Sequence, residues 1–235
     1  MEINLRNLLT FLDDPKRGDN RHVTAIIGVV GEDLNAALFA HYLEKGGSHT
    51  VTVLNESPRP GTMHGQRLDR WIYAIEHESR EEALYQSEIK NWAASAIGGK
   101  KLPIECSESD MQAVIEHYWS HQLTTVFQSK KQPNGVTKVL LPMKVPEQYG
   151  HVEVEPLVIY WMPVLNPKDK SSRPFFTVSL ADLGVTETFP TSFKYLNFFS
   201  ASLYVRQLLK SGVETLHLSM PNAERRIEVF SEISV

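Results

Sequence analysis

The feature that most constrains this chain is a pair of apolar runs set on either side of a short charged stretch. Residues 66–75 carry Leu68, Trp71, Ile72, Tyr73 and Ile75, and residues 83–92 end in Trp92. The polar stretch 76–82 between them is rich in glutamate. This order predicts two strands joined by a polar turn. Acids stand at matched places in the two runs. A turn centred between Glu78 and Ser79 sets Asp69 opposite Glu88. Directly opposed side chains of an antiparallel pair have Cβ atoms about 4.5–5.5 Å apart. A bulge or a longer loop shifts that register.

The neighbouring segments give the pair its setting. Residues 3–12 read as a short amphipathic helix and 13–21 as a loop. Residues 32–45 repeat Leu34, Ala37, Leu38 and Tyr42 at helical spacing, and Gly46-Gly47 stops them. Gly28 and Gly31 precede that helix, and Glu32 opens it. Residues 50–54 (TVTVL) read as a strand and 57–61 (SPRPG) as a turn. Residues 110–127 form a helical stripe of Met111, Val114, Ile115, Tyr118 and Trp119. Strands are expected at 139–145, 157–164 and 175–180, with a loop at 167–174. A long helix follows at 193–209, then a hairpin of 215–220 and 225–230. The pattern describes an α/β domain with a mixed β-sheet flanked by helices.

The chemistry follows from the acids. Two close carboxylates repel, and one tends to keep its proton at neutral pH. A divalent cation binding both removes the conflict, and oxygen ligands without thiols suit Mg²⁺ or Mn²⁺. Side chains alternate along a strand, so Lys90 shares a face with Glu88 while Ile89 points away. A lysine there can orient an attacking water or stabilise charge on a phosphate. A bound metal lowers the pKa of its water and polarises a phosphoryl oxygen. Together these parts hydrolyse a phosphodiester.

Leu68-Asp69 followed by Glu88-Ile89-Lys90 resembles the PD-(D/E)XK nuclease superfamily, whose fold is restriction-endonuclease-like. The order helix, three strands, helix, strand is similar to its core. The resemblance covers roughly residues 26–145 and departs from the motif at Leu68, where the name has proline. It implies that Asp69 and Glu88 bind Mg²⁺, that Ile89 lends its carbonyl, and that Lys90 assists the nucleophile. It implies an accessory acid on the first core helix, and Gly31-Glu32 resembles that position. The implied fold is one domain over residues 1–235. Its nuclease-like core spans about 23–146, with a C-terminal strand and helix extension over 147–235. The implied activity is metal-dependent hydrolysis of nucleic acid, most simply DNA, with a homodimer as a possible assembly. The alternative is an inactive module on the same fold that binds nucleic acid or a protein.

Composition narrows the setting. The formal net charge of −4 argues against coating nucleic acid by charge alone. It leaves room for an enzyme whose metal supplies positive charge locally. The single cysteine, Cys106, excludes an internal disulfide and a cysteine zinc knuckle, and fits a reducing compartment. No run reaches the roughly 20 apolar residues of a membrane span, and no signal peptide is read at the N-terminus. A soluble cytoplasmic protein is expected.

Blander readings stand beside each candidate. Asp69 can be a surface carboxylate paired with Arg67 or Arg70, and Glu88 with Lys90 a simple salt bridge. Glu32 can serve the helix dipole. Gln86 shares the face of Glu88 and reads as a polar strand position or a substrate contact. Trp71, Tyr73 and Trp92 can stack on bases, although strand aromatics more often pack. His64, His77, His117 and His121 suggest a metal. The HYWSH spacing of His117 and His121, however, lacks the glutamate base of the zinc motif. Lys100-Lys101 and Lys130-Lys131 are candidate phosphate contacts or solvated loops. Gly28 and Gly31 match no nucleotide-loop pattern.

Overall fold

The computed structural model describes residues 1–12, 21–61, 67–91, 107, 109, 135–164, 166, 169, 173–183, 191–225 and 228. The helix expected at 110–127 lies outside them, as do Trp92, His64, His117, His121 and the two lysine pairs. Among the described residues the chain is mixed α/β. The elements are β1 (Glu2–Asn4), α1 (Leu5–Leu12), α2 (Arg21–Glu44), β2 (His49–Val53), β3 (Arg70–Glu76) and β4 (Glu82–Lys90). They continue with β5 (Glu153–Tyr160), β6 (Phe175–Ser179), β7 (Tyr195–Ser200), α3 (Ala201–Lys210) and β8 (Thr215–His217). No described helix is long and apolar enough to cross a membrane.

Six strands form one mixed sheet in the order β2-β3-β4-β5-β7-β6. The first three make an antiparallel meander, β5 joins parallel to β4, β7 joins parallel to β5, and β6 returns antiparallel. A parallel partner needs a long crossover, and the chain between Lys90 and Glu153 supplies one. Strands from the C-terminal part thus extend the same sheet that holds the acid-bearing hairpin.

Each face of the sheet carries a core. On one face Ile72, Ala74, Tyr85, Ile89, Leu157, Ile159 and Phe199 pack against α1, α2 and α3. Phe39 of α2 sits at its centre, with ring centroids 5.4 Å from Tyr85, 5.6 Å from Phe175 and 5.1 Å from Phe199. Such aromatic pairs are worth about 0.5–1.5 kcal/mol each beyond their buried area. On the other face Trp71, Leu84, Val158, Tyr160, Phe176 and Phe198 pack against Leu68, Val139, Leu140 and Met143. A 3₁₀ turn at Gly135–Leu140 brings Val139 and Leu140 to that face.

Several elements differ from expectation. Helix α2 begins at Arg21, so Gly28 and Gly31 lie within it and Glu32 stands mid-helix. The β-branched run VTAIIGVV is helical, because propensities of about 0.7 kcal/mol per residue or less yield to context. Gly46 and Gly47, at φ +96° and +72°, end the helix as expected. The long helix expected at 193–209 is strand β7 followed by α3. A strand buried on both faces is apolar at every position, and periodicity does not separate it from a buried helix. Residues 139–145 form the end of the 3₁₀ turn and a single bridge from Met143 to Pro60. Pro142 and Pro146 deprive that segment of ladder donors. The strand that joins the meander beside β4 is β5, which ends before Pro163. Of the expected final hairpin, Thr215–His217 is β8 and pairs with β1, residues 221–225 are helical, and most of its second strand lies outside the described residues.

Candidate metal and phosphate site

The acid-bearing hairpin has the expected register. Arg70 pairs with Ser87, Ile75 pairs with Glu82, and every pair between keeps step. The turn falls at residues 77–79, with Arg80 in the left-handed region at φ 63°. By alternation Asp69 shares a face with Trp71, and Glu88 with Leu84, both members of the second core. Asp69 and Glu88 thus lie on the same face, at the end of β3 and β4.

The ladder stops just before Asp69, and the aspartate caps it. The Asp69 N–H donates to the Ser87 carbonyl at 3.0 Å. Its carboxylate Oδ2 accepts the N–H of Ile89 at 2.7 Å. Its carbonyl accepts from Ser57 Oγ at 3.2 Å and from Arg70 Nη1 at 2.8 Å. These bonds fix both the backbone and the carboxylate. A strand residue turns its N–H and its carbonyl to the same side. The Ile89 carbonyl therefore faces the edge where Asp69 stands.

Glu88 is 1% exposed and carries an ammonium group on each oxygen. Lys90, two residues on along β4, contacts Oε1. Lys138, from the 3₁₀ turn, lies 2.8 Å from Oε2 and also donates to the Arg67 carbonyl at 3.2 Å. Burial pushes the Glu88 carboxyl above its ordinary pKa, and the charge of Asp69 pushes the same way. The two lysines oppose both effects without overcoming them. The acids are thus close enough to repel.

Gln86 has a definite role in this arrangement. Fully buried, it donates from Nε2 to the carbonyls of Val139, at 2.5 Å, and Leu141, at 2.8 Å. It pins the turn bearing Lys138 onto the strand bearing Glu88. Lys138 is the residue that sequence reasoning missed. Its only signal was a lysine among apolar residues, and nothing in its spacing links it to Glu88.

The helix contributes differently from expectation. Helix α2 packs on the opposite face, the one bearing Ile89. There Asp33 pairs with Arg70 at 2.6 Å, and both are buried. Arg70 is thereby committed to Asp33, so in place of the blander pairing with the Asp69 carboxylate it donates to the Asp69 carbonyl. A Cβ on Gly31 would meet Asn91, so the helix closely approaches the end of β4. Half-buried Glu32 stands between those two contacts. Standing mid-helix, Glu32 has no first-turn dipole to complement.

Trp71 is buried in the core, and Tyr73 packs on Tyr149 with centroids 4.7 Å apart. His77 lies 2.8 Å from Thr50 Oγ1 and 2.8 Å from the Gly47 carbonyl, tying the hairpin turn to β2. Among the described residues no three His, Cys, Asp or Glu side chains gather as a metal cluster. The donor set available is two carboxylates with a backbone carbonyl, which is hard-oxygen chemistry. Comparison with family models, with curated proteins and with solved structures finds no match for this chain.

Proposed function

We propose that this chain is a metal-dependent nuclease with a restriction-endonuclease-like core, hydrolysing phosphodiester bonds of DNA. The observation that carries the reading is the fixed Asp69 carboxylate beside a buried Glu88 that bears Lys90, where the β3–β4 ladder ends. The order of α2, three antiparallel strands and a crossover to β5 supports the same fold. The residues fit a hard divalent cation, because two repelling carboxylates gain from one between them. Asp69, Glu88 and the Ile89 carbonyl would hold Mg²⁺ or Mn²⁺, with Glu32 as accessory. The cation, when bound, supplies Lewis acidity at a phosphoryl oxygen. Lys90 stabilises charge on the phosphate and steers the attacking water.

One observation favours a second reading, an inactive module that binds nucleic acid or protein. Asp69, Glu88, Lys90 and Lys138 balance in charge without any cation. Incubation with plasmid and single-stranded DNA, in Mg²⁺ or Mn²⁺ against EDTA, separates the two. The nuclease reading expects metal-dependent cleavage that Asp69→Ala abolishes. Cleavage surviving that substitution, or none from the folded wild type with either metal, overturns it.

A further inference from the structure

Glu88 has two oxygens and two ammonium partners, and Lys138 is the partner the motif does not include. The lysine is built into place. Val139 and Leu140 beside it are wholly buried, and the Gln86 amide donates to the carbonyls of Val139 and Leu141. The backbone of Lys138 is therefore fixed, while its side chain, 14% exposed, is not fully enclosed. The Arg67 carbonyl it also holds belongs to an exposed residue leading directly into Asp69.

We propose that Lys138 is a substrate-phosphate ligand of this site, and that it yields Glu88 when a divalent cation binds there. The proposal rests on the nuclease reading and extends it. A cation shared by Asp69 and Glu88 would compete for the carboxylate oxygens that the lysines now hold, and its charge would repel the Lys138 ammonium. Once released, the ammonium is still tethered within side-chain reach of the site. The cluster, balanced before, then carries two excess positive charges. That excess attracts a polyanion, and a phosphate adjoining the reacting one is the group Lys138 is placed to meet. Lys138 thus keeps the buried Glu88 compatible with folding without metal, and binds substrate with it.

The test uses Lys138→Met, which keeps the stem and removes the charge, and measures binding without cleavage. Without its competitor, Mn²⁺ should bind the variant about tenfold more tightly by calorimetry, as expected for one close charge pair. A DNA oligonucleotide titrated in Ca²⁺ should bind less tightly, with a log–log salt slope lower by about one. Unchanged or weakened Mn²⁺ affinity, or an unaltered salt slope, overturns the assignment. If the variant does not fold, ¹³C-methylated lysines of the wild type decide. The Lys138 signal must shift on adding Mg²⁺, and an unmoved signal overturns the exchange. Wild type that binds neither metal removes the nuclease reading and this proposal together. Wild type that binds metal while Lys138→Met changes nothing removes this proposal alone.

Discussion

Two buried ion clusters lie back to back at the same end of the sheet. On the α2 face one acid meets one base, Asp33 and Arg70, at 2.6 Å. On the opposite face one acid, Glu88, meets two bases, with a second acid beside it. The first cluster is closed to exchange, since Arg70 donates from Nη2 to Asp33 and from Nη1 to the Asp69 carbonyl, both fixed groups, although its buried Nε has no hydrogen-bond partner among the described residues. The second is exchangeable, since each lysine has a flexible stem and a partly exposed side chain. The difference separates a pair built to hold two elements together from a cluster able to trade a partner. Both act on Asp69, one through its backbone and the other through its charge.

The closed pair should therefore dominate stability. Asp33→Ala leaves a buried guanidinium unpaired, which costs about 3–5 kcal/mol in chemical denaturation. It should also impair any cleavage, because Arg70 positions the Asp69 carbonyl. Glu88→Gln should cost about 1 kcal/mol or less, or even stabilise, since functional sites hold groups their surroundings disfavour. Cleavage should nevertheless vanish. A Glu88→Gln loss as large as that of Asp33→Ala would erase the distinction between the clusters.

Gln86 sharpens the comparison at an intermediate level. Gln86→Leu removes both bonds to the turn and leaves the carbonyls of Val139 and Leu141 short of a donor. The cost should be about 1–3 kcal/mol by thermal or chemical unfolding. The effect on metal binding should follow that of Lys138→Met, because the turn that aims Lys138 is loosened. A destabilised Gln86→Leu protein with wild-type metal affinity would show that Lys138 finds Glu88 without the clamp.

The two clusters were unequally legible in the sequence. The register that pairs Arg70 with Ser87 follows from two apolar runs and one charged turn, so the placement of Asp69 beside Glu88 could be read in advance. The alternation placing Glu88 and Lys90 on one face follows from strand geometry. Lys138 could not be read, because its contact depends on how a proline-flanked segment folds back over the sheet. Asp33 was hidden for a related reason. Its helix begins well before the first recognisable repeat, and from Gly31 to Phe39 it is buried nearly all round, Glu32 apart. A helix buried on every side shows no single apolar stripe from which the inward acid could be picked. Strand β7 is hard to tell from a helix for a related cause, since it gives Leu196 and Phe198 to one core and Phe199 to the other.

A half-buried carboxylate, Glu155 on β5, tests what happens when an acid has no cation partner of this kind among the described residues. Its Oε2 accepts from Asn197 Nδ2 at 2.7 Å, and Asn197 in turn accepts from Thr177 at 2.6 Å. Burial raises its pKa, the Asn197 hydrogen bond opposes the rise, and the charge of Glu153 adds to it. A carboxyl whose folded pKa is raised binds its proton more tightly in the folded state. Its contribution to stability is fully present below the ordinary carboxylate value and is lost as pH rises through the raised one. Glu155→Gln has nothing to titrate and keeps an acceptor for Asn197. The stability of wild type relative to this variant should therefore fall as pH rises from the ordinary carboxylate value through the raised one. Unfolding free energies of both proteins across that window give the answer. This effect should be the smallest of the series, because Glu155 is only partly buried. A difference that stays flat, or that favours wild type as pH rises, would show that the Asn197 bond alone stabilises the charge. The lysines at Glu88 would then be more than neutralising burial requires, and their place beside Asp69 would rest on binding an anion.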